Sequence, residues 1–239
     1  TAVSKTAFPG STPGGPALIV VFNPAVAGRL LQIYKYLYTD SYWWRWASRV
    51  TFTQMVIIGI TGTNGAGKGT VVEYLVNQKG FKHFSARALL TEEIEKRGWE
   101  NNRESLIKVA NGLREKYGSA YVAEELFKRA VVSGENCIIE SIRTVGEIEL
   151  LRQKGKFVLL AVDADQKLRY ERNSKRGTVT DGVSFEEFVE SEKKEWQSAD
   201  PNKQNLKKCI EAADFVIENK GTIEDLNQKI EEILKIIKI

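Results

Sequence analysis

The sequence predicts an α/β fold, a parallel sheet held between two layers of helices, over residues 55–239. Three observations predict it. From Met55 onward, apolar runs of strand length alternate with helical stretches, the order that builds a parallel sheet. Those runs, such as Val56 to Thr61, are apolar throughout, as strands covered on both faces must be. A glycine-rich turn joins the first run directly to a helix.

Val56 to Thr61 reads as the first strand. Thr70 to Gln78 reads as a helix that turns Val72, Leu75 and Val76 inward and stops at Gly80. A short strand near Phe81 to Phe84 leads into a helix whose Leu90 and Ile94 share a face. Arg103 to Tyr117 and Ala120 to Val132 follow as two further helical segments. Then come the strand Cys137 to Glu140, a helix around Val145 to Gln153, and the strand Phe157 to Val162. A charged helical region runs from Gln166 to about Ala212, broken at Gly177 to Val183 and near Pro201. Phe215 to Ile217 is the fifth strand. The closing helix keeps Ile223, Leu226, Ile230, Ile233, Leu234 and Ile237 in a 3.6-residue rhythm.

Residues 1–54 differ in kind from the rest. Four of the five prolines (Pro9, Pro13, Pro16, Pro24) and the cluster Trp43, Trp44 and Trp46 lie there. Phe8 to Pro16 is a Pro/Gly/Ser loop. A membrane anchor is broken up by Asn23, Pro24 and Arg29, and a signal peptide would have a very short apolar core before Ala25-Val26-Ala27. The only methionine, Met55, immediately precedes the first strand. It reads as a natural start, with the leader upstream, fused or incidental; an interfacial segment using the Tyr34 to Trp46 aromatics is the alternative.

Lys5, Arg29, Lys35, Arg45 and Arg49 against Asp40 give the leader the whole of the net +4, so the remaining charges balance. The body therefore exerts no net pull on nucleic acid or membrane. Cys137 and Cys209 make no disulfide framework and read as buried free thiols in a reducing, cytoplasmic setting.

The turn after the first strand reads GITGTNGAGKGT from Gly59 to Thr70. Gly62 opens a G-x-x-x-x-G-K spacing that Gly67 and Lys68 close around Asn64, Gly65 and Ala66. Such a turn between a buried strand and a helix aims backbone N–H groups and a helix N-terminus at phosphate. Lys68 reaches the outer phosphates of a nucleoside triphosphate. The usual Ser or Thr after the lysine is Gly69, and the threonine comes one place late, at Thr70.

GAGKGT resembles the loop of adenylate kinase and other nucleoside monophosphate kinases, and GITG the start of the related dephospho-coenzyme A kinases. The resemblance to this P-loop nucleotide kinase family covers residues 55–239. It implies a three-layer αβα P-loop NTPase fold with a five-stranded parallel sheet, a helical acceptor-binding insert at about 85–132 and a short lid at about 172–195. It also implies ATP and Mg2+ as cofactors. Nucleotide would be bound by Gly62, Asn64, Gly65, Ala66, Gly67, Lys68, Gly69 and Thr70, and by Asn219 and Gly221 at the turn beside the adenine.

In HFSARALL, Ser85 stands where the family's acceptor-binding helix begins, and it is equally a plain N-cap. The family's basic residue farther along is replaced by Thr91. Arg87 takes over that role, or Arg103 and Arg114 do so from the next helix. The strand NCIIE ends in Glu140, near hydrated magnesium or the acceptor by resemblance, and Arg143 falls on the acceptor's phosphate. The arginine comes one residue early, and the family's intervening glycine and proline are absent. Thr70 and Glu140 are the metal candidates, through water. Arg169, Arg172 and Arg176 share one helical face before Gly177 to Gly182, and the resemblance makes Arg172 and Arg176 lid arginines over the transferring phosphoryl group. His83 reads as structural.

The expected activity is transfer of the γ-phosphoryl of ATP to a nucleoside or deoxynucleoside monophosphate. The alternative acceptor is the ribose hydroxyl of dephospho-coenzyme A, with Glu140 drafted as base. The expected partner is a small-molecule nucleotide acceptor, with no nucleic acid, and no membrane unless the leader is an anchor. A GTPase-like switch is disfavoured. Asn219-Lys220 lacks the aspartate of an N-K-x-D turn, and no D-x-x-G follows a strand.

Overall fold

The computed structural model describes residues 5–8, 18–21, 55–176 and 183–239. The readings made on the leader's aromatic and membrane-like stretches, and on the loop Gly177 to Gly182, lie outside those residues. The chain divides into two compact units, Thr1–Val50 and Thr51–Ile239. In the first, β1 (Lys5–Phe8) pairs antiparallel with β2 (Leu18–Val21), Lys5 opposite Val21.

The second unit is the expected α/β layer structure. Its strands are β3 (Val56–Gly62), β4 (Lys82–Ser85), β5 (Cys137–Glu140), β6 (Lys156–Asp163) and β7 (Phe215–Glu218). They form one sheet in the order β4-β5-β3-β6-β7, and every neighbouring pair is parallel. The helices are α1 (Lys68–Lys79), α2 (Ala86–Lys96), α3 (Arg103–Tyr117), α4 (Tyr121–Ser133) and α5 (Val145–Arg152). They continue as α6 (Gln166–Arg176), α7 (Phe185–Trp196), α8 (Leu206–Glu211) and α9 (Ile223–Ile236).

Strand alternation splits the core into two layers. Val56, Ile58 and Ile60 of β3, with Ile138, Leu160 and Val162 beside them, pack under α1 and α9 through Val71, Leu75, Leu226 and Ile230. Ile57, Cys137, Ile139 and Leu159 point the other way. They pack against α2, α3, α4 and α5 through Ile94, Leu113, Phe127 and Leu151. A strand buried on both faces cannot afford a polar side, which is why these runs are apolar throughout. Leu90 and Ile94 are both buried, as their spacing predicts.

The element ends differ from expectation by one or two residues. The helix after the glycine turn begins at Lys68, two residues earlier than its apolar rhythm shows. It ends on Gly80, whose left-handed φ of 71° lets its N–H return to the carbonyls of Leu75 and Val76. The long charged region is three helices, α6, α7 and α8. Among the described residues no helix is long and apolar enough to cross a membrane.

From β3 the chain runs out to edge strand β4, returns to β5, then crosses to β6 on the far side of β3. That reversal opens a crevice at the carboxyl ends of β3, β5 and β6, the place where open parallel sheets take ligands.

Candidate functional site

The turn Thr63 to Gly67 lies at the end of β3, and its shape is forced by what surrounds it. At Gly65 (φ 78°) a Cβ would come within 2.4 Å of the Arg169 carbonyl oxygen, and at Gly67 (φ 100°) within 2.4 Å of Asn219 Nδ2. Glycine alone fits both the dihedrals and the close approach. Gly69 is different, since a Cβ there would meet nothing within 4 Å.

Three side chains brace the turn from behind. Asn219, buried at the end of β7, donates from Nδ2 to the Ala66 carbonyl (2.8 Å). Thr63 Oγ1 donates to Asp163 Oδ1 (2.5 Å) at the end of β6. Arg169 donates from Nη1 to the Asn64 carbonyl (3.2 Å) and from Nε to the Ala164 carbonyl (2.8 Å), and is ion-paired with Glu192 of α7. Arg169 therefore belongs to the loop's support. It is buried, whereas Arg176, which its i, i+3, i+7 spacing puts on the same helical face, is exposed.

Lys68 turns its ammonium onto the loop, donating to the carbonyls of Thr63 (2.7 Å) and Gly62 (3.1 Å). Burial pulls its pKa down to about 7; the Arg143 guanidinium adds to this, while Glu140 and Glu195 oppose it. Glu140 ends β5 and its Oε2 meets His83 Nε2 of β4 at 3.0 Å. Burial works to raise its carboxyl, but His83, Lys68 and Arg143 outweigh that and hold it below the usual carboxylate range.

After Glu140 the chain turns at Ser141, whose φ of 70° is left-handed. The Ser141 and Ile142 amides both donate to the Ile60 carbonyl, at 3.0 and 3.1 Å. This is the position at which a glycine would be free of strain, and it delivers Arg143 to the crevice. The backbone of Arg143 is fixed twice. Its N–H donates to Glu147 Oε2 (2.7 Å), and its carbonyl accepts from Asn205 N (2.9 Å).

Glu195 completes the group. Its Oε1 accepts from Arg103 Nη2 at 2.6 Å and its Oε2 from Arg143 Nη1 at 3.2 Å, so one carboxylate joins the start of α3 to the end of β5. Burial pushes that carboxyl up, and Arg143, Arg103 and Lys68 more than reverse it.

The structure thus gathers Lys68, Glu140, Arg143 and, through Glu195, Arg103. Ser85 lies opposite Glu140 in the β4–β5 register, and its Oγ caps α2 by accepting from Ala88 N (3.4 Å). Arg87 is exposed on α2. Arg114, the alternative to Arg87, is buried below the crevice in an ion pair with Glu147 (2.9 Å). Arg172 is half-buried on α6, and Arg176 is exposed at its end, beside residues outside those described. Thr70 is half-buried in the first turn of α1, and Gly221 precedes the capping box that Thr222 and Asp225 make at α9. Cys137 and Cys209 are buried free thiols, each pushed up to about 12 by burial.

Glu192 and Glu195 were legible only in part. With Phe188 they stand at i, i+4 and i+7 on α7, so the buried aromatic marks their face as the inward one. Read by charge alone, that helix looks solvated.

Sheet order, glycine turn and cationic crevice together define a P-loop NTPase, and residues 58–197 match the family model described as AAA domain. The chain belongs to that family and to the UPF0200 proteins. It is 34% identical over 183 residues to the UPF0200 protein of Sulfurisphaera tokodaii, covering 75% of this chain and 96% of that one. To the UPF0200 protein of Methanothermobacter thermautotrophicus it is 33% identical over 183 residues, covering 76% and 90%. The crystal structure of TT1252 from Thermus thermophilus shares the fold, with a TM-score of 0.52 and 23% identity over 76% of this chain and 97% of that one.

Proposed function

We propose that the second unit transfers the γ-phosphoryl of ATP to the phosphate of a nucleoside or deoxynucleoside monophosphate. One observation carries this reading: Lys68 of the glycine turn faces a second cationic group, Arg143 with Arg103, across one crevice. A transferase with a phosphate acceptor needs an anion seat beyond the donor loop, and this pair of guanidiniums can supply one. Phosphoryl transfer asks for in-line positioning and for charge neutralisation on the equatorial oxygens. The loop amides and Lys68 hold the donor, and Arg143 the acceptor. Arg172 and Arg176 would close over the transferring group as the lid.

Magnesium fits the residues present. It keeps several waters and needs one or two protein oxygens besides the phosphates. Glu140 is held ionised at the end of β5, and Thr70 supplies a hydroxyl. Bound there with ATP, magnesium would neutralise phosphate charge.

The place of Glu140 at the carboxyl end of β5 favours a second reading, in which the acceptor is a hydroxyl, as in dephospho-coenzyme A, and Glu140 takes its proton. An ADP-release assay over monophosphates, deoxymonophosphates and dephospho-coenzyme A separates the two. Release stimulated by no acceptor would remove both. Lys68→Met is expected to lower transfer by at least about a hundredfold with the fold intact; near wild-type transfer would sink the donor assignment.

A further inference from the structure

The crevice holds more cations than the donor needs, and one carboxylate sits among them. Arg103 and Arg143 share Glu195, one oxygen to each guanidinium. Two oxygens of a phosphate would make the same bridge. We propose that Glu195 occupies the anion seat of the acceptor site and is displaced by a phosphate dianion, so that the site selects doubly charged groups over singly charged ones. This rests on the acceptor reading given above and deepens it.

The supports on either side of the bridge show that Glu195 can leave without undoing them. Helix α7 is held by Phe188, 1% exposed, and by Glu192 on Arg169, seven and three residues before Glu195. The Arg143 backbone is fixed by Glu147 and Asn205. Arg103 opens α3 behind the N-cap Asn102, whose side chain accepts from Ser105 N (2.9 Å). None of these bonds involves the Glu195 carboxylate, so a side-chain swing frees both guanidiniums with the helices in place.

Charge decides what makes it swing. Arg103 and Arg143 stand against the one carboxylate they share, so a positive charge is left over at the bridge. Exchanging Glu195 for an external carboxylate gains nothing, because like replaces like and the tethered group has the higher effective concentration. A phosphate monoester brings about one further negative charge and neutralises the excess. The Glu195 carboxylate meanwhile regains the hydration that its 9% exposure denies it. A structural clip predicts the opposite, since removing a group that aims two arginines should weaken anion binding.

The test is calorimetric titration of the full chain, saturated with MgADP, using inorganic phosphate and acetate as probes. Wild type is expected to bind phosphate and not acetate. Glu195→Gln keeps the shape and removes the charge. It should bind phosphate roughly tenfold more tightly and bind acetate measurably. Unchanged or weaker phosphate binding overturns the proposal. So does phosphate binding that survives Arg143→Gln, which would put the anion elsewhere. Should Glu195→Gln not fold, Glu195→Asp shortens the arm and breaks the bridge while keeping the charge, and a smaller rise in phosphate affinity is expected; no rise there overturns it too. No turnover is involved. Tightened phosphate binding with a blank ADP-release panel therefore removes the kinase reading alone, and normal transfer with unmoved phosphate affinity removes this inference alone.

Discussion

Lys68 is the residue whose chemistry the fold alters most. Its ammonium is turned onto two carbonyls and faces Arg143, and burial brings its pKa to about 7 from 10.5. The folded state disfavours the charged form, so the penalty is complete below about pH 7. It is relieved as pH rises toward 10.5, so this group's contribution to stability increases across that window. A triphosphate in the loop reverses the balance by supplying the negative charge that Lys68 lacks. At pH 8 Lys68 is about nine-tenths neutral, and nucleotide binding is expected to take up close to one proton there. At pH 5.5 it should take up none through this group. Titration of ATP in two buffers of different ionisation enthalpy measures the uptake, and Lys68→Met should abolish it. Uptake that persisted in the variant would assign the proton to another group.

At the scale of elements, the glycine turn was the most readable part of the chain and Glu195 the least. The turn is local: Gly62, Gly67 and Lys68 announce it by spacing, and the strand and helix on either side follow from their apolar rhythm. What spacing could not convey is which glycines are required. Gly65 is pinned by the Arg169 carbonyl and a left-handed φ, whereas Gly69 faces open space within a helix. Gly65→Ala should therefore destabilise by about 1–3 kcal/mol. Gly69→Ala should be neutral or stabilising by up to about 1 kcal/mol. Urea unfolding of the two variants checks the pair, and equal costs would show that the turn is not strained as described. The five strand segments and the closing helix were foreseeable from patterns within ten or so residues; the strands' order in the sheet was not. The partners of Glu192 and Glu195 were not foreseeable either, because Arg169, Arg103 and Arg143 come from three separate elements. Phe188 marks the inward face of α7, but nothing local says which cations that face meets. The same holds for Arg169, whose spacing with Arg172 and Arg176 suggested one shared face and whose burial depends on Asn64 and Ala164, neither of which recruits it by sequence.

Over the whole unit, the site is tied to the helical layer beneath it by one buried ion pair. Arg114 of α3 and Glu147 of α5 are 2% and 1% exposed, and Arg114 reaches Glu147 Oε1 through both Nε (3.2 Å) and Nη2 (2.9 Å). The other carboxylate oxygen, Oε2, accepts from the N–H groups of Arg143 and Thr144. Thr144 in turn donates to the Ser119 carbonyl (2.9 Å). One carboxylate thus links the core helices to the arginine that meets Glu195. Arg114 Nη1 is buried without a hydrogen-bond partner among the described residues, so the pair adds little net stability of its own. Its worth lies in what its loss leaves behind, a carboxylate with no countercharge in an apolar layer. Arg114→Met is therefore expected to cost about 3–5 kcal/mol, read as a fall in the urea midpoint. Glu147→Gln keeps an oxygen for the Arg143 and Thr144 amides but removes the charge, and it too should destabilise, because it strands Arg114. The double variant should recover part of the loss, since neither charge is then left alone. If the two single costs simply added in the double variant, the pair would not be the unit that couples the helical layer to the crevice.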